Sequence, residues 1–78
     1  MTVPPKAKVF YTVTFETNGA GTVESQTVLD GKTVERPEDP VKDGFTFMYW
    51  SYNGQRFDFD TPITGDVLLT AEWTSDAS

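Results

Sequence analysis

The side chains able to do chemistry in this sequence are mostly carboxylates, twelve of them against six lysines and arginines. Asp58, Asp60 and Asp66, together with Glu38, Asp39 and Asp43, lie near enough in sequence to suggest a calcium site. Calcium takes about six to eight oxygens, usually from one loop of closely alternating acids. Asp58-Phe59-Asp60 offers two acids with an aromatic between them, and no loop of that kind follows. A solvated acidic edge that discourages strand pairing is the simpler expectation. Asp60 or Thr61 also suits the cap of a turn beginning at Pro62. Two carboxylates doing acid–base work need a cleft that raises the pKa of one. No pair among the twelve acids is marked for that role.

Other chemistries lack their reagents. Cysteine and histidine are both absent, which removes thiol nucleophiles, disulfides, thiolate metal sites and the commonest general base. The serines have no evident base partner. A Lys–Asn isopeptide crosslink would staple a cysteine-free domain. Both asparagines, however, precede glycine, in Asn18-Gly19 and Asn53-Gly54, and read as turn residues. The expectation is a non-enzyme with no cofactor and no metal. Net charge is −6 and no basic cluster is present, so nucleic acid and anionic membrane surfaces are disfavoured partners. No apolar run approaches the ~18 residues of a membrane-spanning helix, so direct membrane insertion is not expected. Met1-Thr2-Val3-Pro4-Pro5 lacks the charged start and apolar core of a signal peptide.

Aromatic residues, 14% of the chain, are the remaining candidates. Phe10, Tyr49, Tyr52 and Phe57 could form a platform for sugar rings or a partner's side chains, with Asn53, Gln55 and Arg56 nearby to donate hydrogen bonds. Of these, Tyr49, Tyr52 and Phe57 are the candidate contact residues. The competing expectation is that the rings are core. A domain this small buries only about 60% of its unfolded surface, and aromatic bulk must replace the missing disulfides. Phe15, Phe47, Trp50 and Trp73 are the expected structural anchors.

The elements that must position these residues read as strands. Val9 to Glu16 alternates, with Val9, Tyr11, Val13 and Phe15 on one face. Thr17-Asn18-Gly19-Ala20-Gly21 breaks it, and Val23 to Leu29 returns as the second arm of a hairpin. Glu35 to Asp43 contains Pro37 and Pro40, which exclude a long helix but leave room for one helical turn at about Glu38 to Lys42. Gly44 to Trp50 is a strand with bulk on both faces: Phe45, Phe47 and Tyr49 against Thr46, Met48 and Trp50. Such a strand is either covered on both sides or kinked partway. After Asn53-Gly54 comes a short extended piece with Phe57 and Phe59. The last strand is Val67 to Trp73, alternating Val67, Leu69, Ala71 and Trp73 against Leu68, Thr70 and Glu72. Residues 1–8, with Pro4-Pro5, read as a leader or linker. One domain spans 9–74, and 75–78 form a polar tail.

The spacing Val13-x-Phe15-Glu16-x-Asn18-Gly19, Val28, Gly31, Pro37-x-x-Pro40-x-Lys42-x-Gly44-Phe45-x-Phe47-x-x-Trp50, Phe59, Ile63-Thr64-x-Asp66 and Leu69-x-Ala71-x-Trp73 resembles the Listeria–Bacteroides repeat. This is the B-repeat module of internalin-type surface proteins, and the resemblance covers about Tyr11 to Thr74. It implies an α+β, β-grasp-like (ubiquitin-like) mixed sheet of four to five strands gripping a short helical turn or irregular crossover. Val9–Glu16 should be central, with the last strand parallel beside it. It also implies an extracellular module at the surface or wall of a bacterium, acting as spacer or adhesion unit. Its partners would be adjacent repeats of the same chain and a host or cell-surface protein. A carbohydrate-binding module using the tyrosine platform is the alternative. Three residues depart from the family pattern: Ala20, Thr70 and, above all, Tyr49, which stands where glycine is usual. A position that tolerates tyrosine in place of glycine should be open, so Tyr49 is expected at the surface with Tyr52 and Phe57 in reach.

Overall fold

The computed structural model describes residues 8–76. The leader expected over residues 1–8 therefore lies almost wholly outside the described residues, as does the end of the 75–78 tail. Five strands form one mixed sheet: β1 (Phe10–Glu16), β2 (Val23–Leu29), β3 (Phe45–Tyr52), β4 (Gln55–Arg56) and β5 (Val67–Ser75), in the order β2-β1-β5-β3-β4. β1 and β5 run parallel, with Val13 level with Val67 and Glu16 with Thr70. All other pairings are antiparallel. The parallel pairing of first and last strands follows the resemblance, but the middle strand is β5, and β1 lies second.

The α+β expectation is corrected by this architecture. The protein is all-β, with no helix among the described residues. The turn expected at Glu38 to Lys42 does not form, and residues 32–41 adopt no regular structure. Pro37 and Pro40 withhold two donors within four residues and push their predecessors toward extended conformations. The crossover from β2 to β3 is therefore satisfied piecemeal. The Gln26 side chain donates to the Glu35 carbonyl at 2.7 Å and accepts from the Glu35 N–H at 3.0 Å, standing in for a strand neighbour. The Gly31 N–H donates to the Ile63 carbonyl and the Ile63 N–H to the Lys32 carbonyl, each at 2.8 Å. Those two bonds lace the crossover to the β4–β5 connection.

Together these two connections do what a helix would do and cover one face of the sheet. The buried hydrophobic residues are Val13, Phe15, Val28, Leu69, Ala71 and Trp50 from the strands, with Val34 and Ile63 from the connections. Tyr11, Phe47, Phe57, Phe59, Val67 and Trp73 pack around them, half-buried. Alternation in β1 and β5 thus delivers the face expected of it.

β3 obeys alternation only in halves. Phe47 lies opposite Trp73 and Tyr49 opposite Glu72, so Met48 is an extra residue with no partner. This β-bulge bends the strand and resets its parity. Phe47 and Trp50, expected on opposite faces, share the core face with ring centroids 5.4 Å apart. Trp50 also meets Phe15 edge-on at 5.1 Å, and Phe47 meets Trp73 at 5.7 Å. Tyr49 and Ser51 are turned to the other face. There Ser51, 4% exposed, donates to the Glu72 carboxylate at 2.6 Å.

Candidate functional site

The surface with shape on it is the segment Arg56–Asp60, and its position follows from local rules. Asn53 and Gly54 both have positive φ, 51° and 79°, the conformation a two-residue hairpin turn requires. The turn pairs Gln55 and Arg56 with Tyr52 and Ser51, and the Phe57 N–H extends the contact to the Trp50 carbonyl at 2.8 Å. A carboxylate oxygen of Asp58 then accepts the Asp60 N–H at 2.9 Å, and its carbonyl accepts the Thr61 N–H at 3.0 Å. The chain reverses there, so Asp58, rather than Asp60 or Thr61, holds this turn. Phe57 and Phe59 face the core while Arg56, Asp58 and Asp60 stay exposed.

On one side of this segment an open groove of about 400 Å³ is lined by Arg36, Arg56, Phe57, Asp58, Phe59 and Asp60. Arg36 arrives from the crossover, where the Gln26 clamp on Glu35 and the burial of Val34 fix its backbone. Its guanidinium stands 5.9 Å above the Phe59 ring, and that of Arg56 stands 5.7 Å above Tyr49. A pit of about 20 Å³ adjoins the groove, lined by Tyr49 and Trp50 with four residues of the groove itself: Arg36, Arg56, Phe57 and Phe59. Trp50 Nε1 is buried with no hydrogen-bond partner, alone in that among the described side chains. On the other side of Arg56–Asp60 a second depression, about 360 Å³, is bordered by Tyr52, Gln55, Thr61 and Thr64.

The tyrosine platform is divided by the bulge and the strand's parity. Tyr52 is 40% exposed and meets Phe57 edge-on at 6.5 Å. Tyr49 is half-buried on the opposite face, beneath Arg56, and meets Phe57 only in the wall of the pit. The fully open position expected for Tyr49 is therefore not what the fold provides. Phe10 is exposed at the start of β1, with β5 between its strand and β3. Phe15, Phe47, Trp50 and Trp73 all lie in or against the core. Arg36 and Phe59 were not among the residues singled out for contact. Nothing in the sequence links Arg36 to Arg56, since the two meet only through the irregular crossover.

The other candidates have structural employment. Asp66 accepts the Thr12 N–H at 2.9 Å, extending the β1–β5 ladder by one step. Among the described residues no group of three or more acids converges as a metal site would need. The Asn18 amide donates to the Ala71 carbonyl at 3.1 Å. Lys42 Nζ donates to the Asn18 main-chain carbonyl at 2.9 Å, with Phe45 and Trp73 rings 4.4 and 4.7 Å away.

Residues 11–72 match the family model of the Listeria–Bacteroides repeat domain. The chain belongs to that family. Among its curated relatives is a "Putative Gly-rich membrane protein" of Evansella cellulosilytica, 34% identical over 67 residues, covering 81% of this chain and 8% of the relative. A "Putative membrane protein" of the same organism is 33% identical over 67 residues, covering 81% of this chain and 10% of the relative. The chain thus spans about a tenth or less of these relatives. The Listeria–Bacteroides repeat is a repeat module of surface proteins, and this chain supplies one copy. Within this module Phe15, Phe47, Trp50 and Trp73 lie in or against the core on the sheet's covered face.

Proposed function

We propose that this module is a non-catalytic spacer of an extracellular bacterial surface protein, holding its neighbours apart and making contacts with adjacent repeats and with a host or cell-surface protein. The observation that carries the reading is the parallel pairing of β1 with β5. A chain that begins a sheet and ends it in the same direction enters at one pole and leaves at the other. From Phe10 to Glu16 is six residue steps, Glu16 lies level with Thr70, and five more steps reach Ser75. At ~3.3 Å per step the module spans roughly 36 Å between the two ends. Each copy in a string would then add length instead of folding back on the last. An antiparallel pair would have returned the chain to its starting pole.

Among the described residues no acid cluster competes with this reading, and Ser51, whose hydroxyl donates to the Glu72 carboxylate at 2.6 Å, is 4% exposed. The test is small-angle scattering from proteins carrying one, two and three copies of residues 1–78 in series. The maximum dimension should rise by at least ~35 Å per copy. A dimension that stays near the single-copy value would overturn the spacer. Surface proteolysis of intact cells bearing the parent protein tests its placement, and protection of the module would overturn the extracellular assignment.

A further inference from the structure

The groove between Arg36 and Arg56 has a feature that structural economy does not explain. Trp50 is 1% exposed, yet its indole N–H lacks a partner. A buried unsatisfied donor costs about 1–3 kcal/mol, and Trp73 in the same sheet avoids that cost by donating to the Thr17 carbonyl at 2.8 Å. Trp50 forms part of the pit, which shares four of its six lining residues with the groove. Arg36, Arg56 and Trp50 therefore gather at the end of the site that adjoins the pit, two guanidiniums and the residue whose indole N–H is unpartnered. At the other end are acceptors, the Asp60 carboxylate and the second oxygen of Asp58, whose first oxygen holds Asp60 N–H. Phe57 and Phe59 lie between, half-buried, with centroids 5.0 Å apart. At about 400 Å³ the groove falls within the ~300–1,000 Å³ of ligand sites.

We infer that this groove binds a carboxylated sugar, a uronic acid residue of an acidic polysaccharide. The carboxylate engages Arg36 and Arg56, with an acceptor directed at the pit where Trp50 lacks one. The ring lies against Phe57 and Phe59, and its hydroxyls donate to Asp58 and Asp60. Each feature selects. Planar guanidiniums match a carboxylate in a two-pronged geometry. Aromatic walls suit the apolar face of a pyranose. The two aspartates need donors from the ligand, which hydroxyls supply. The side chains of an acidic peptide bring carboxylates but no hydroxyls to those aspartates, so it fits worse. Besides its place over Phe59, Arg36 is held by Asp39 at 3.4 Å between largely exposed side chains, so little is lost in exchanging that ion pair for a ligand carboxylate. This site is distinct from the spacer role and stands or falls separately.

The experiment is an NMR titration of the ¹⁵N-labelled chain with tri-galacturonate, its methyl ester and tri-glutamate. The two tryptophans give two indole N–H signals, assigned with the Trp73→Phe variant. Tri-galacturonate should move the Trp50 signal and leave that of Trp73, already bonded to Thr17, in place. Arg36→Gln and Arg56→Gln should each weaken binding about tenfold or more, as loss of a charged hydrogen bond does. An unmoved Trp73 signal in these variants shows that they fold. The inference is overturned by a Trp50 signal that stays fixed to roughly 10 mM, the weak limit of specific binding. It is equally overturned if the ester or tri-glutamate binds as well as tri-galacturonate, or if both arginine variants bind like the parent.

Discussion

Replacing Trp50 by phenylalanine separates the indole's two roles, filling space and donating a hydrogen bond. Trp50→Ala would be uninformative. It should cost ~3–5 kcal/mol, and a chain of 78 residues has only ~4–12 kcal/mol in all at ~0.05–0.15 per residue. Trp50→Phe keeps a ring in contact with Phe15 and Phe47. It removes roughly 40 Å² of apolar surface, about 1 kcal/mol, and leaves a small cavity worth about another. Against that, it deletes the unpartnered N–H and recovers ~1–3 kcal/mol. The net change should lie within about 1 kcal/mol of zero.

Trp73→Phe is the control. Its N–H is bonded to the Thr17 carbonyl, and Thr17 is 2% exposed. That change forfeits a hydrogen bond and strands an acceptor, so it should cost ~1–3 kcal/mol. Urea melts at constant m give both values. A Trp50→Phe variant that loses more than Trp73→Phe would refute the reasoning. It would show that Trp50 Nε1 is satisfied in solution, for which the pit of about 20 Å³ has room for one water.

Two further substitutions probe β3. Tyr49→Gly, the family's usual residue, should destabilise by ~1–2 kcal/mol, combining glycine's entropic cost with loss of a half-buried ring under Arg56; thermal denaturation against the parent measures it, and a loss above ~3 kcal/mol would make Tyr49 a core residue. Deleting Met48 should leave a folded domain within ~1 kcal/mol of the parent, because it removes an unpaired, 46% exposed residue and keeps every other partner in register, whereas deleting Thr46 must displace the Phe45 pairing; equal damage from the two deletions, read by amide exchange and urea melts, would mean that the bulge is not where the extra residue sits.

Some of this fold was legible because its rules are local. Alternation in Val9–Glu16 and Val67–Trp73 is a property of single strands, and it named Val13, Phe15, Leu69 and Ala71 as buried. Asn53-Gly54 needs no tertiary help to reverse a chain, and both residues take positive φ. The helical turn misread the crossover because acidic residues between two prolines satisfy helix-start rules as well as loop rules. What decided against it was remote: Gln26 on β2 and Ile63 after β4 supply the partners that a helix would have supplied to itself. The family pattern also signalled this ambiguity by allowing an irregular crossover.

Met48 shows why the site was harder to see than the fold. A sequence with bulk on both faces of one strand is consistent with two coverings or one kink, and alternation cannot choose between them. The kink moves Trp50 to join Phe15 and Phe47, and sends Tyr49 away from Tyr52 toward Arg56. The same single residue thus builds the core cluster and dissolves the tyrosine platform. It also puts Trp50 and Tyr49, neighbours in sequence, on two walls of one pit beneath Arg36 and Arg56. The functional question passes from exposed tyrosines to paired arginines for that reason. Core packing in β3 and the groove beside it are consequences of one register shift, so a change at Met48 must be read in both.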